Sequence, residues 1–255
     1  MQEQSSDKSK TSGRRGVLVL GAAFLAVVGA NELFNRPAPP DFEDVPGLPE
    51  FRMLRFGGVS GQVFDPFIGI DTLRAAVPRI PDAQVCGTLF THSGHGVPVA
   101  SFSDYFCPYC RVLTRELTTR AEAGDISVTW HELPLLGETS VMAARAALAA
   151  DMQGAYLEIH NRLMRSRVVA TDAYLENLAE GAGLNAARFV RDANSELVQN
   201  RIQTAQGLAE RFGFYGTPAL VVGRTAVLGS IPVDKLDRLI ADERILAQAA
   251  TPACG

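Results

Sequence analysis

The sequence lacks the marks of several large protein classes. It has no basic excess: 24 Lys and Arg stand against 28 Asp and Glu, for a net charge of −4. That balance argues against nucleic acid as the main partner. No internal repeat is apparent, and no dimerisation domain is evident, so a monomer is expected. No apolar run matches a bilayer core. The uncharged stretch from Gly16 to Ala30 would form a helix of about 22 Å, against about 30 Å of hydrocarbon. Metal-ligand spacing is nearly absent as well. His92-Ser93-Gly94-His95 comes nearest, but two histidines in a glycine loop make an incomplete site, and no metal ligands are assigned. What the chain does have is 47% apolar and 20% charged residues in 255. That supports one good-sized globular domain with appendages.

Lys8, Lys10, Arg14 and Arg15 precede the apolar run, and Val28-Gly29-Ala30 offers small residues for cleavage. Residues 1–34 read as a signal peptide, favoured over a retained N-terminal membrane anchor. Either way the remainder is exported, because the basic residues come first. Arg14-Arg15 also fits a twin-arginine signal, though such pairs precede ordinary signals too. Five prolines and four acidic residues between 35 and 50 predict an extended acidic linker. Glycines and prolines break up residues 51–96. These residues are read as an irregular lead-in packing on the domain, with one strand around Val85 to Thr91 that contains Cys86.

Cys107-Pro108-Tyr109-Cys110 is the most informative feature. Val97 to Phe102 reads as a buried strand. Val112, Leu113 and Leu117 place a helix after the cysteines, running from Cys107 to about Ala123. Cys107 therefore falls where a strand hands over to a helix start. Unpaired N–H groups and the helix dipole meet there and favour a thiolate. Pro108 suits the first turn, where its missing N–H costs nothing. Ile126 to Leu133 alternates as a strand and ends at Pro134. An alanine-rich helix over Val141 to Met152 follows, then helices capped by Thr171 and Asn185, and another ending by Gly213. Ala219-Leu220-Val221-Val222 and Thr225-Ala226-Val227-Leu228 flank Gly223-Arg224 as a hairpin. A helix from Val233 closes the chain. The layout is α/β: a thioredoxin-like βαβ…ββα fold, interrupted by a helical insertion over about 138–213.

Three motifs then carry a resemblance. Phe102 to Cys110, Leu133-Pro134-Leu135-Leu136-Gly137 and Gly216-Thr217-Pro218-Ala219, in this order, resemble the DsbA-like thiol:disulfide oxidoreductases of the bacterial cell envelope. The likeness covers residues 97 to about 245 of a domain placed at 97–250. It implies a cis Pro218 beside the cysteines, which would turn the Thr217 backbone toward an extended substrate. It implies Cys107 as the exposed nucleophile and Cys110 as the resolving thiol. Pro108, Tyr109, Thr217 and Pro218 would form the substrate-binding surface. Tyr109 is not cationic, so less depression of the Cys107 pKa is expected than with His there.

Asp104 is a candidate proton relay to Cys110, or equally a turn and cap acceptor. His131 and Glu132 read as strand-end residues, Trp130 and Tyr156 as core. Cys86 and Cys254 are candidates for a structural disulfide, with unpaired thiols or intermolecular bonding by Cys254 as alternatives. The expected function is a periplasmic dithiol oxidase. It needs no cofactor beyond the Cys107–Cys110 disulfide. Its partners would be reduced exported proteins and a membrane protein that reoxidises it. The rival readings are a reductase or isomerase of the same fold, and a copper- or zinc-binding module that uses the two thiolates.

Overall fold

The computed structural model describes residues 41–61, 77–91, 95–166, 171–249 and Cys254. The predicted signal or anchor segment, residues 35–40 of the predicted linker and His92 to Gly94 lie outside them. From Phe42 onward the described residues form one unit. Among them, no helix is long and apolar enough to cross a membrane.

β-Branched and aromatic residues make the central strand β3, Val97–Ser103, whose residues are almost all buried. Its neighbours are β4, Ile126–Glu132, in parallel and β5, Ala219–Val222, antiparallel. Gly223 takes the positive φ the hairpin needs, at 54°, and returns the chain as β6, Thr225–Leu228. Helix α2, Pro108–Glu122, links β3 to β4. Helix α8, Val233–Ala249, follows β6 and turns Leu236, Leu239 and Ile240 inward. Together they form the thioredoxin arrangement expected from the pattern.

The lead-in corrects the sequence reading. Arg52–Arg55 is a strand, β2, and it runs parallel to β6. Glu43–Asp44, β1, pairs with it from outside. The sheet is thus six strands in the order β1-β2-β6-β5-β3-β4. The strand is four residues long with an arginine at each end, too short for alternation to register. The supposed linker is not extended from residue 42 onward. Val45, Leu48 and Phe51 are buried, and successive turns fold the segment, with Leu48 N–H donating to Val45 O and Phe51 N–H to Leu48 O. Prolines there shape turns on a core, and the Phe51 ring meets Phe212 edge-on at 5.0 Å.

The strand expected around Val85 to Thr91 is instead a helix, α1, Asp82–Leu89. Val85 and Leu89 lie one turn apart and are fully buried, so they share a helical face. Two apolar residues four apart fit a helix, and Pro81 with Asp82 supplies its start.

The insertion comprises α3, Glu138–Asp151; α4, Tyr156–Arg165; α5, Asp172–Gly181; α6, Ala186–Ala193; and α7, Glu196–Phe212. Ala143, Ala144, Ala146, Ala147, Ala149 and Ala150 are all buried. Small side chains on every face let α3 run through the middle of the subdomain with helices packed close. Thr171 and Asn185 cap α5 and α6 as expected, accepting from Tyr174 N–H and Arg188 N–H.

Candidate active site

Cys107 is the N-cap of α2, with extended backbone at φ −76°, ψ 117°. Its sulfur accepts the Cys110 N–H at 3.2 Å, one of the helix-start donors that lack an internal partner. Both cysteines are free thiols. Across the site the Thr217–Pro218 peptide is cis, and the Thr217 carbonyl lies 3.4 Å from Cys107 Sγ. β3 and β5 pair side by side and bring the two ends together, with Phe102 facing Ala219.

These contacts separate the two thiols chemically. The Cys107 pKa falls from 9.0 to about 6. The leading cause is the hydrogen bond from the Cys110 thiol, helped by the Thr217 side chain, the Cys110 N–H and the Ser60 hydroxyl, and opposed by burial. The Cys110 pKa is pushed well up, by burial first and then by the hydrogen bond and charge of Cys107. One thiol is set to be a thiolate and the other to hold its proton.

Cys107 departs from expectation in one respect. It is not exposed: its accessible surface is 0%. Pro108 and Tyr109 flank it on the outside and are exposed, whereas Thr217 is fully buried. Part of the reason lies in the lead-in. Ser60 forms an antiparallel bridge with Thr217, whose carbonyl lies 3.4 Å from the Cys107 sulfur, and its side chain adds to the lowering of the Cys107 pKa. Sequence reasoning missed Ser60, a small polar residue in a glycine-rich stretch that carries no local signal.

Asp104 makes the contacts of a turn acceptor. Its carboxylate accepts from Phe106 N–H at 2.8 Å, Leu135 N–H at 2.7 Å, Leu136 N–H at 3.0 Å and Ser140 Oγ–H at 2.8 Å. Four donors fill its acceptor directions. The residue ties the cysteine turn to the loop before α3, the turn-acceptor alternative.

Glu132 is more than a strand end. It is buried, and its Oε1 accepts from both Tyr105 and Tyr156 hydroxyls at 2.6 Å. His160 Nδ1 lies 2.7 Å from the Tyr105 oxygen and 3.4 Å from Glu132 Oε1. Burial, then the Glu132 charge, pushes both tyrosine pKa values well up. Tyr156 and His160 sit four apart on α4, a spacing visible in the sequence, but nothing local ties them to Tyr105. Tyr105 shares one buried cluster with Cys107 and Cys110.

His131 stacks on Phe102 at 4.7 Å, and its Nε2 lies 3.0 Å from Leu89 O. His95 is exposed, and its expected companion His92 is outside the described residues. Cys86 and Cys254 are joined in a disulfide spanning 168 positions.

The family described as DSBA-like thioredoxin domain matches residues 98–241. Among solved structures, a thioredoxin-like oxidoreductase from Silicibacter pomeroyi aligns with a TM-score of 0.58 and 33% identity, covering 62% of this chain and 97% of that one. The catalytic domain of Proteus mirabilis ScsC aligns at 0.56 and 25% identity, covering 63% and 95%. Among curated proteins, the Na(+)/H(+) antiporter NhaA 1 of Salinispora arenicola is 30% identical over 199 residues, 76% of this chain and 28% of that protein. The chain spans only 28% and 22% of the length of the first curated relatives it matches.

Proposed function

The chain belongs to the DSBA-like thioredoxin domain family, and we propose that it is an exported thiol:disulfide oxidoreductase running as a dithiol oxidase. The observation that carries this reading is the surroundings of the Cys107 sulfur. It accepts the Cys110 N–H at the head of a helix, and its pKa is lowered to about 6. Those interactions stabilise a thiolate, which exists only in the reduced protein. A protein whose reduced form is favoured draws electrons from its substrates.

The proposed cycle starts from the Cys107–Cys110 disulfide. A substrate thiolate attacks Cys107 Sγ. The Cys107–Cys110 bond breaks, a mixed disulfide forms, and the departing Cys110 sulfur takes up the proton that the substrate thiol released on ionising, as its raised pKa favours. A second substrate thiolate attacks the substrate sulfur of that mixed disulfide and releases Cys107 as a thiolate, a good leaving group at its lowered pKa. Two electrons pass from the substrate dithiol to the cysteine pair, and the substrate gains one disulfide. An electron acceptor must then restore the pair, and a membrane redox protein fits that role. Substrates would be reduced, newly exported proteins. A periplasmic thioredoxin-like protein of Salmonella enterica, 27% identical, supports the periplasm as the setting.

Equilibration of the cysteine pair against a glutathione series tests the direction. A potential of about −120 to −180 mV supports an oxidase, and one near about −270 mV makes it a reductase. Oxidation of a reduced, unfolded protein is the complementary assay.

A further inference from the structure

The edge of Thr217 that would receive a substrate strand is already occupied. Ser60 N–H donates to Thr217 O at 2.6 Å, and Thr217 N–H donates to Ser60 O at 2.7 Å. The Thr217 hydroxyl adds a 3.3 Å bond to Ser60 O. Both hydrogen-bonding groups of the residue before the cis-proline are thus spent within the chain.

The route of this segment is anchored at its start. Phe56 N–H donates to Leu228 O, and Ser230 N–H to Gly57 O, so β2 continues past its end along β6 and crosses to Thr217. Glycines make room for it. A Cβ on Gly216 would stand 2.2 Å from Val59 Cγ1, and one on Gly229 would stand 2.1 Å from Phe56 O. A Cβ on Gly58 would meet the Tyr109 ring at 3.1 Å. At Gly216 and Gly229 a side chain would force the segment to shift, and at Gly58 the Tyr109 ring would have to give by a few tenths of an ångström.

The residue facing the nucleophile is a serine. Serine is cysteine with oxygen in place of sulfur: it holds the Thr217 edge beside Cys107 as a substrate cysteine would, yet cannot form a disulfide. We propose that Val59-Ser60-Gly61 is an internal pseudosubstrate, which holds the Thr217 edge and covers Cys107 until a substrate strand with cysteine at the Ser60 position displaces it. The proposal rests on the oxidoreductase reading for its choice of substrate. It also specifies that substrate further: an extended segment running antiparallel to Thr217, with a residue no bulkier than valine accommodated before the cysteine.

Two variants, each in a Cys110→Ala background with Cys86–Cys254 intact, test it. With Ser60→Cys, oxidised glutathione should drive a disulfide between positions 60 and 107, found by mass mapping of a non-reduced digest. Two thiols that both alkylate without reduction would overturn the proposal. With Gly61→Val, the new Cβ would lie 2.7 Å from Tyr215 O, forcing the segment off while retaining Ser60. The rate constant of iodoacetamide with the Cys107 thiolate, corrected for the thiolate fraction titrated in each variant, should then rise about tenfold or more, the scale of two lost hydrogen bonds. An unchanged rate would overturn the occlusion. Glutathione exchange by the otherwise unaltered protein separates the two readings. Exchange without any gain from Gly61→Val sinks the pseudosubstrate and spares the oxidoreductase. A gain in alkylation without any exchange does the reverse.

Discussion

Cys107 Sγ stands 3.4 Å from the carbonyl oxygen of Thr217, a residue 110 positions later in the chain. Nothing local holds the two together. β3 delivers the cysteine at its end and β5 starts at the proline, and their antiparallel register sets one against the other. Ser60 joins them by pairing with Thr217, and its side chain contributes to lowering the Cys107 pKa. The chemistry of the site thus depends on three segments far apart in sequence.

The Cys107 thiolate should titrate with a midpoint of about 6, against 9.0 for an ordinary cysteine. Thiolate absorbance near 240 nm of a Cys110→Ala protein would follow it, with the midpoint somewhat higher once the leading hydrogen-bond donor is gone. The pKa is lowered on folding, so the stabilisation is complete above the unfolded value and is lost as pH falls through the folded one. The reduced protein should therefore lose thermal stability relative to the oxidised one between pH 9 and pH 6. A constant difference across that window would contradict the assignment.

Asp104→Ala should destabilise the fold by about 1–3 kcal/mol or more, because it leaves three partly buried backbone N–H donors without their acceptor. Urea denaturation measures this directly. Normal stability with slow turnover would instead favour the relay reading.

Tyr105→Phe removes a hydroxyl shared by Glu132 and His160. The expected cost is about 1–3 kcal/mol, the penalty for leaving a buried polar group short of a partner. Chemical denaturation of the variant checks it, and a neutral result would show that the network is redundant.

Replacing Cys86 and Cys254 together with alanine opens a link across 168 positions. Stability should fall, by up to about 5 kcal/mol in the loop-entropy account. Glutathione exchange at Cys107 should persist, since neither sulfur belongs to the site. Loss of exchange in a folded variant would count against the separation of the two pairs.

Much of the architecture was readable from residue patterns, because those elements obey local rules. β-Branched and aromatic residues gave β3, period-two alternation gave β4, Gly223-Arg224 gave the hairpin, and Thr171 and Asn185 marked helix starts by their own side chains. Where the pattern was short, local rules failed. Val85 and Leu89 share a helical face that four residues cannot distinguish from a strand, and Arg52 to Arg55 became a strand only because β6 offered an open edge.

By itself the sequence determined that a reactive dithiol, Cys107 and Cys110, would sit at a strand-to-helix junction. Capping, dipole and proline preferences act within a few residues, so they are written in the order of the chain. Only the tertiary structure decided that Ser60 would lie on the Thr217 edge, that Asp104 would spend its carboxylate on a distant loop, and that Glu132 would gather two tyrosines and a histidine. Those outcomes depend on which surfaces meet once the sheet closes. Hydrogen bonds between residues dozens to more than a hundred positions apart leave no periodic trace in the sequence that forms them.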